Sequence, residues 1–144
     1  MEDPFKVLKE ARVIAVVGAS RNPNKDAGMV PAYLKSKGYK IIPVNPVASE
    51  ILGEKAYPSL PDIPDDVARE IDVIDVFRPP NEAVKIVEQA AELSRRTGKR
   101  YVIWFQYGTY TEEAVRLAEE KGLRVVYNNC MMEAHKKLER LEEG

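Results

Sequence analysis

Five short runs rich in β-branched and aromatic residues, RVIAVVG (12–18), YKIIPV (39–44), DVIDVF (72–77), YVIWF (101–105) and RVVYN (124–128), are separated by longer segments of mostly helical period. A run apolar on both faces suits a strand covered on both sides of a parallel sheet. Parallel neighbours need crossover connections, and the intervening segments supply helices for them. The pattern therefore predicts an α/β fold: a doubly wound, mostly parallel, Rossmann-like sheet of about five or six strands with helices on both faces. RVIAVVG is expected at its centre.

Local signals mark the elements. Asp3 before Pro4 reads as a cap and first helical residue, followed by the stripe Phe5, Leu8 and Ala11. GMVPAYLKSKG is a helix starting near Gly28, because Pro31 is tolerated only within the first turn. Residues 19–27 are then mostly loop. Pro43 is awkward for a central strand. From Glu50 to Ile71 proline is frequent, and a short edge strand is expected near Lys55 to Tyr57. In NEAVKIVEQAAELSRRTG, Val84, Val87 and Ala91 share a face with Ala83, Ile86 and Ala90 beside it. Thr111 caps TEEAVRLAEEKG, MMEAHKKLERLEE forms the last helix, and Trp104 belongs to the core.

The 144 residues fit one domain, 1–144, with no room for a second catalytic unit. A net charge of −1, with acids and bases interleaved, offers no global field for nucleic acid, so any anion must be bound locally. One Cys and one His exclude an internal disulfide and a Cys/His zinc site. No apolar run approaches the roughly 20 residues of a membrane helix, and the first 13 residues are too charged for a signal peptide. The expected location is the cytoplasm. Charged residues at 31% with few Cys and Met suit a heat-adapted source.

In such sheets ligands bind beyond the carboxyl ends of the strands. Gly18 permits a tight turn, and a helix beginning near Gly28 offers free N–H groups and a positive dipole end to phosphate. Ser20 adds a hydroxyl; Arg21 and Lys25 add charge. A dinucleotide fingerprint needs G-x-G-x-x-G and an acid about 20 residues on. Here position 20 is Ser, and the second strand ends in Val44, Asn45 and Pro46, which demotes NAD. Asn45 serves equally as a ligand contact or as a turn-former before proline. Phe77, Arg78, Pro79 and Pro80 form a rigid lip beside a guanidinium. Gln106, Tyr107 and Gly108 supply a donor and acceptor, a stacking surface and close approach.

These features together, VVGAS with a long loop to Gly28, GYKIIPVNP, EILGEKAYPSL, DVIDVFRPP, WFQYGTYTEEA and GLRVVYNNCMMEAHKKL, resemble the single-domain CoA-binding proteins and the CoA-binding N-terminal domain of the succinyl-CoA synthetase α subunit. The resemblance covers residues 13–138. It implies coenzyme A over the strand ends, with its diphosphate at Gly18, Ala19 and Ser20. Asn45 and Pro46 border the nucleotide, Phe77 to Pro80 line the pantetheine path, and Gln106 to Gly108 match the synthetase's TEG segment more loosely. The synthetase's PGK lysine has no counterpart after Pro46, which leaves Arg21, Lys25, Lys55 or Arg78 for the charged phosphate.

The synthetase's phosphorylated histidine lies in a domain this chain lacks. His135, among Glu133, Lys136 and Lys137, reads as a solvated surface residue. Cys130 lies beyond the last strand on the ligand edge, where it is either an inert buried thiol or a partner for the CoA thiol in a mixed disulfide. The expected function is non-catalytic binding of CoA or an acyl-CoA by a carrier, sensor or partner module, with a protein partner or homo-oligomer compatible with it. A nicotinamide-dependent enzyme with an atypical turn, or an interaction domain with a vestigial pocket, are the alternatives.

Overall fold

The computed structural model describes residues 1–144, and its elements alternate as the sequence pattern requires. Helix α1 (Pro4–Glu10) precedes β1 (Val13–Val17), α2 (Asp26–Ser36) and β2 (Lys40–Val44). Two-residue strands β3 (Glu50–Ile51) and β4 (Glu54–Lys55) form a separate hairpin. The short α3 (Asp65–Ala68), then β5 (Val73–Val76), α4 (Ala83–Thr97), β6 (Val102–Phe105), α5 (Glu112–Glu120), β7 (Arg124–Tyr127) and α6 (Met131–Glu143) complete the chain.

The main sheet has five strands in the order β2-β1-β5-β6-β7, and every adjacent pair is parallel. This is the expected doubly wound arrangement. One face is covered by α3, α4 and α5 over Ala15, Ile42, Ile74, Ile103 and Val125. The other is covered by α1, α2 and α6 over Ile14, Val16, Val73, Trp104 and Val126. The middle position belongs to β5, with β1 beside it, so RVIAVVG is interior but not central.

Pro43 falls on β2 at the sheet edge, where a missing ladder donor is cheapest. The strand expected at Lys55–Tyr57 is displaced. Glu54–Lys55 pairs with Glu50–Ile51, and only Tyr57 reaches β2, donating to the Pro43 carbonyl (3.0 Å) and accepting from the Asn45 amide (2.9 Å). At the opposite edge the Glu2 amide donates to Val125 O at 2.9 Å, and the Glu2 carboxylate pairs with Arg124, blunting β7. The helix caps are those expected: Asp3 accepts from the Phe5 amide at 2.9 Å and Thr111 from the Ala114 amide at 3.1 Å.

His135 is not solvated. It is 9% exposed, packed edge-on against Tyr33 and Tyr39 where α2 meets α6, with Nδ1 2.9 Å from the Tyr33 hydroxyl. Burial holds its pKa below the usual value; Lys37 lowers it further, while Glu139 and Glu142 pull the other way. A base whose folded pKa is depressed contributes stability that is complete above its unfolded pKa of about 6.5 and is lost as pH falls below it. In urea unfolding the wild type should lose stability relative to His135→Phe between pH 7.5 and 5.5, by up to about 1.4 kcal/mol per pH unit, since the difference cancels groups common to both. An unchanged pH profile in the variant would place the titration elsewhere.

Candidate functional site

The sheet reverses its order between β1 and β5, since β2 lies on one side of β1 and all later strands on the other. Diverging crossovers leave a crevice at the carboxyl ends of these two strands. A cleft of about 560 Å³ opens there, lined among others by Gly18, Ala19, Ser20, Arg21, Lys25 and Ala27 after β1, Asn45 after β2, and Phe77 and Arg78 after β5. A second cleft of about 520 Å³ shares Ser20, Arg21 and Ser49 with it and extends past Gly28 to the hairpin residues Glu50–Leu52. A smaller one of about 220 Å³ lies on the other side of Gly18, against Pro46, Arg78, Glu82 and Lys85.

The turn after β1 is built from local hydrogen bonds. Ser20 Oγ accepts from the Asn22 amide (3.0 Å), Asn22 Oδ1 accepts from the Asn24 amide (2.9 Å), and the Ser20 amide donates to Ala27 O (3.0 Å). These bonds fold residues 20–27 back onto the start of α2, which begins at Asp26, two residues ahead of Gly28. Lys25 occupies the cap position without a side-chain cap bond, and the Asp26 and Ala27 amides donate to no acceptor within the chain. Such N–H groups at a positive helix end suit an anion. Gly18 has φ +88, a conformation that disfavours L side chains, and an added Cβ would lie 2.8 Å from Arg78 Cδ and 3.0 Å from Phe77 O.

Asn45 frames this cleft. Its Nδ2 donates to Ala19 O at 2.9 Å, and its Oδ1 accepts from the Val47 and Ala48 amides at 2.8 Å each. The side chain ties the β2 exit to the turn after β1, so the turn-forming reading describes its bonding. Arg21 braces the hairpin, its Nε donating to Glu50 O at 3.1 Å. The Lys25 side chain makes no hydrogen bond or ion pair and leaves its charge available; Lys55 lies over the Tyr57 ring, outside these clefts.

Other expected residues lie apart. Pro79 and Pro80 lead into α4, Pro80 opening a 3-10 turn, and line none of the three clefts. Gln106 is buried, and its Oε1 accepts from the Met131 amide at 3.0 Å, satisfying a free donor of α6. Tyr107 faces a different cleft of about 380 Å³ against α6, shared with Cys130, and its hydroxyl donates to Glu133 at 3.3 Å; Gly108 turns the chain after β6. Cys130 is buried at the start of α6, and Trp104 is wholly buried with Nε1 donating to Asn129 O at 3.0 Å. Sequence reasoning missed Ser49, the hairpin wall and Glu82. Of these only Glu82, four residues after Arg78, carried a signal.

No group of three or more His, Cys, Asp or Glu side chains is placed to hold a metal ion, and no helix is long and apolar enough to cross a membrane.

Comparison with known proteins converges on one family. The profile of the CoA binding domain family (CoA_binding_2) matches residues 12–136. The uncharacterized protein YneT of Bacillus subtilis is 36% identical over 140 residues, spanning 94% of this chain and 97% of that protein. A solved structure of a hypothetical protein from Pyrococcus horikoshii superposes with a TM-score of 0.83 at 45% identity, covering 94% of this chain and 89% of that one. The ADP-forming acetate–CoA ligase II of Archaeoglobus fulgidus is 35% identical over 123 residues, 78% of this chain but 17% of the ligase. The parallel sheet, the open turn at its switch point and these likenesses together make the chain a member of the CoA binding domain family.

Proposed function

We propose that the chain binds coenzyme A or an acyl-CoA at the carboxyl ends of β1, β2 and β5, and acts without catalysis of its own as a carrier, sensor or partner module. The observation that carries this reading is the switch-point cleft: unpaired amides at the start of α2, Gly18 allowing close approach, and Arg21 and Lys25 on the rim. The diphosphate would lie at Gly18, Ala19 and Ser20 and against the α2 N-terminus. The pantetheine would pass Phe77 and Arg78 toward Pro79, Pro80 and the turn at Gln106, Tyr107 and Gly108. Asn45 and Pro46 would border the nucleotide from the β2 side.

Calorimetry with CoA, dephospho-CoA and NAD tests the reading. CoA should bind, and more tightly than NAD; tighter NAD binding, or none to CoA, would overturn it. Arg21 also braces Glu50, so Lys25→Ala removes charge more cleanly than Arg21→Ala does. If Lys25 holds the 3′-phosphate, Lys25→Ala should weaken CoA several-fold, about 1 kcal/mol for a partly solvated pair, and leave dephospho-CoA unchanged. Equal losses for both ligands would place Lys25 at the diphosphate instead.

A further inference from the structure

Arg78 is held in an unusual place for a side chain at the rim of an anion site. Its Nε and Nη2 donate to the two carboxylate oxygens of Glu82 at 3.2 and 2.8 Å, a two-point grip across one turn of chain. Its stem lies over Gly18, with Cδ and Cγ at 2.8 and 3.2 Å from where a Cβ would stand. Arg78 lines both the 560 Å³ cleft and the 220 Å³ cleft on the other side of Gly18, and so divides them. The pair is partly open to water, with 42% and 35% of the two side chains exposed, so exchange of partners is not blocked by packing.

A carboxylate gripping a guanidinium at two points presents the same geometry as a phosphate. We infer that Glu82 is an internal competitor for Arg78, holding the guanidinium off the phosphate turn until the phosphate of a bound nucleotide takes it over, and that this exchange sets how strongly the site favours phosphorylated ligands. The inference rests on the CoA reading above. Glu82 is here a positioning residue: it acts through Arg78 and does not touch the ligand.

The test is a double-mutant cycle read by calorimetry with two ligands, CoA and pantetheine, the latter lacking every phosphate. Glu82→Gln should tighten CoA binding about three- to fivefold, as expected for releasing a half-exposed ion pair, and leave pantetheine binding unchanged. Arg78→Gln should weaken CoA binding, and in that background Glu82→Gln should have no further effect. The same gain from Glu82→Gln with and without Arg78 would overturn the inference, because it would then reflect only the removal of a negative charge. Weaker CoA binding by Glu82→Gln would overturn it too, showing that the pair holds Arg78 in its binding position. If wild-type chain binds no CoA, the functional reading itself falls and takes this one with it; CoA binding that is indifferent to Glu82 removes only this one.

Discussion

Alanine at position 28 will destabilise the protein and open the turn after β1, although helix propensity alone argues the reverse. Gly28 is the third residue of α2, where replacing glycine by alanine is ordinarily worth up to about 1 kcal/mol in favour of the helix. Its backbone φ is unremarkable; what alanine lacks there is space. A Cβ would stand 2.1 Å from the Asn22 carbonyl oxygen, 2.8 Å from its carbon and 3.1 Å from the Ser20 carbonyl oxygen. All three are backbone atoms of the loop that the Ser20, Asn22 and Ala27 bonds fold against the helix. They cannot swing away as a side chain would. We expect a loss of about 2–4 kcal/mol, in the range of severe overpacking. For a chain of this length that lowers the melting temperature by about 2–4 °C per kcal/mol. CoA affinity should fall at least about tenfold, since the displaced loop carries Ser20, Arg21 and Lys25 away from the free amides of α2. Should the loop be expelled as a unit, stability would be nearly kept while binding is lost. Thermal melting and calorimetry on the same sample separate these two results. A variant that melts and binds like the wild type would show that the loop does not need the glycine.

The sheet was legible because its strands are buried on both faces and its connections have helical period. Val13–Val17 and Val102–Phe105 announce themselves by composition, and Asp3, Pro4 and Thr111 by capping chemistry. The hairpin at Glu50–Lys55 was not, since two-residue strands are too short to show a period. Pro43 hinted at the edge position of β2, but strand order depends on contacts remote in sequence. The same limit hid the true setting of His135: its partners Tyr33 and Tyr39 are about 100 positions away, and its charged neighbours suggested water. At the site, the glycine spacing located the turn, whereas the use of Asn45 as a frame and of Gln106 as a helix cap depends on which backbone groups lie within reach. One signal stood in plain view within DVIDVF. An acid in a strand covered on both faces conflicts with its surroundings, and such conflicts mark strain or function.

That acid is Asp75, and its replacement by asparagine will remove a pH-dependent weakness of the fold. Asp75 sits on β5, the middle strand, in register with Val16 on one side and Trp104 on the other, and it has no exposed surface. Neither carboxylate oxygen has a hydrogen-bond partner. Burial therefore pushes its pKa well above the ordinary carboxyl range, and it is carried as the neutral acid. The sign follows from proton counting. Above the unfolded pKa of about 3.9 the unfolded chain releases this proton while the folded chain retains it, so the folded state binds more protons and stability falls as pH rises. The fall continues until the folded pKa is reached, at about 1.4 kcal/mol for each pH unit. Asparagine has nearly the same shape and does not ionise, so it loses nothing over that interval. Urea unfolding of the two proteins should give their smallest difference near pH 4 and a growing advantage for Asp75→Asn as pH rises. Taking the difference between the two curves cancels groups common to both, including His135, whose effect has the opposite sign below about pH 6.5. Parallel curves would mean that the carboxyl ionises in the folded protein as readily as in the unfolded chain, which requires a partner for it inside the sheet.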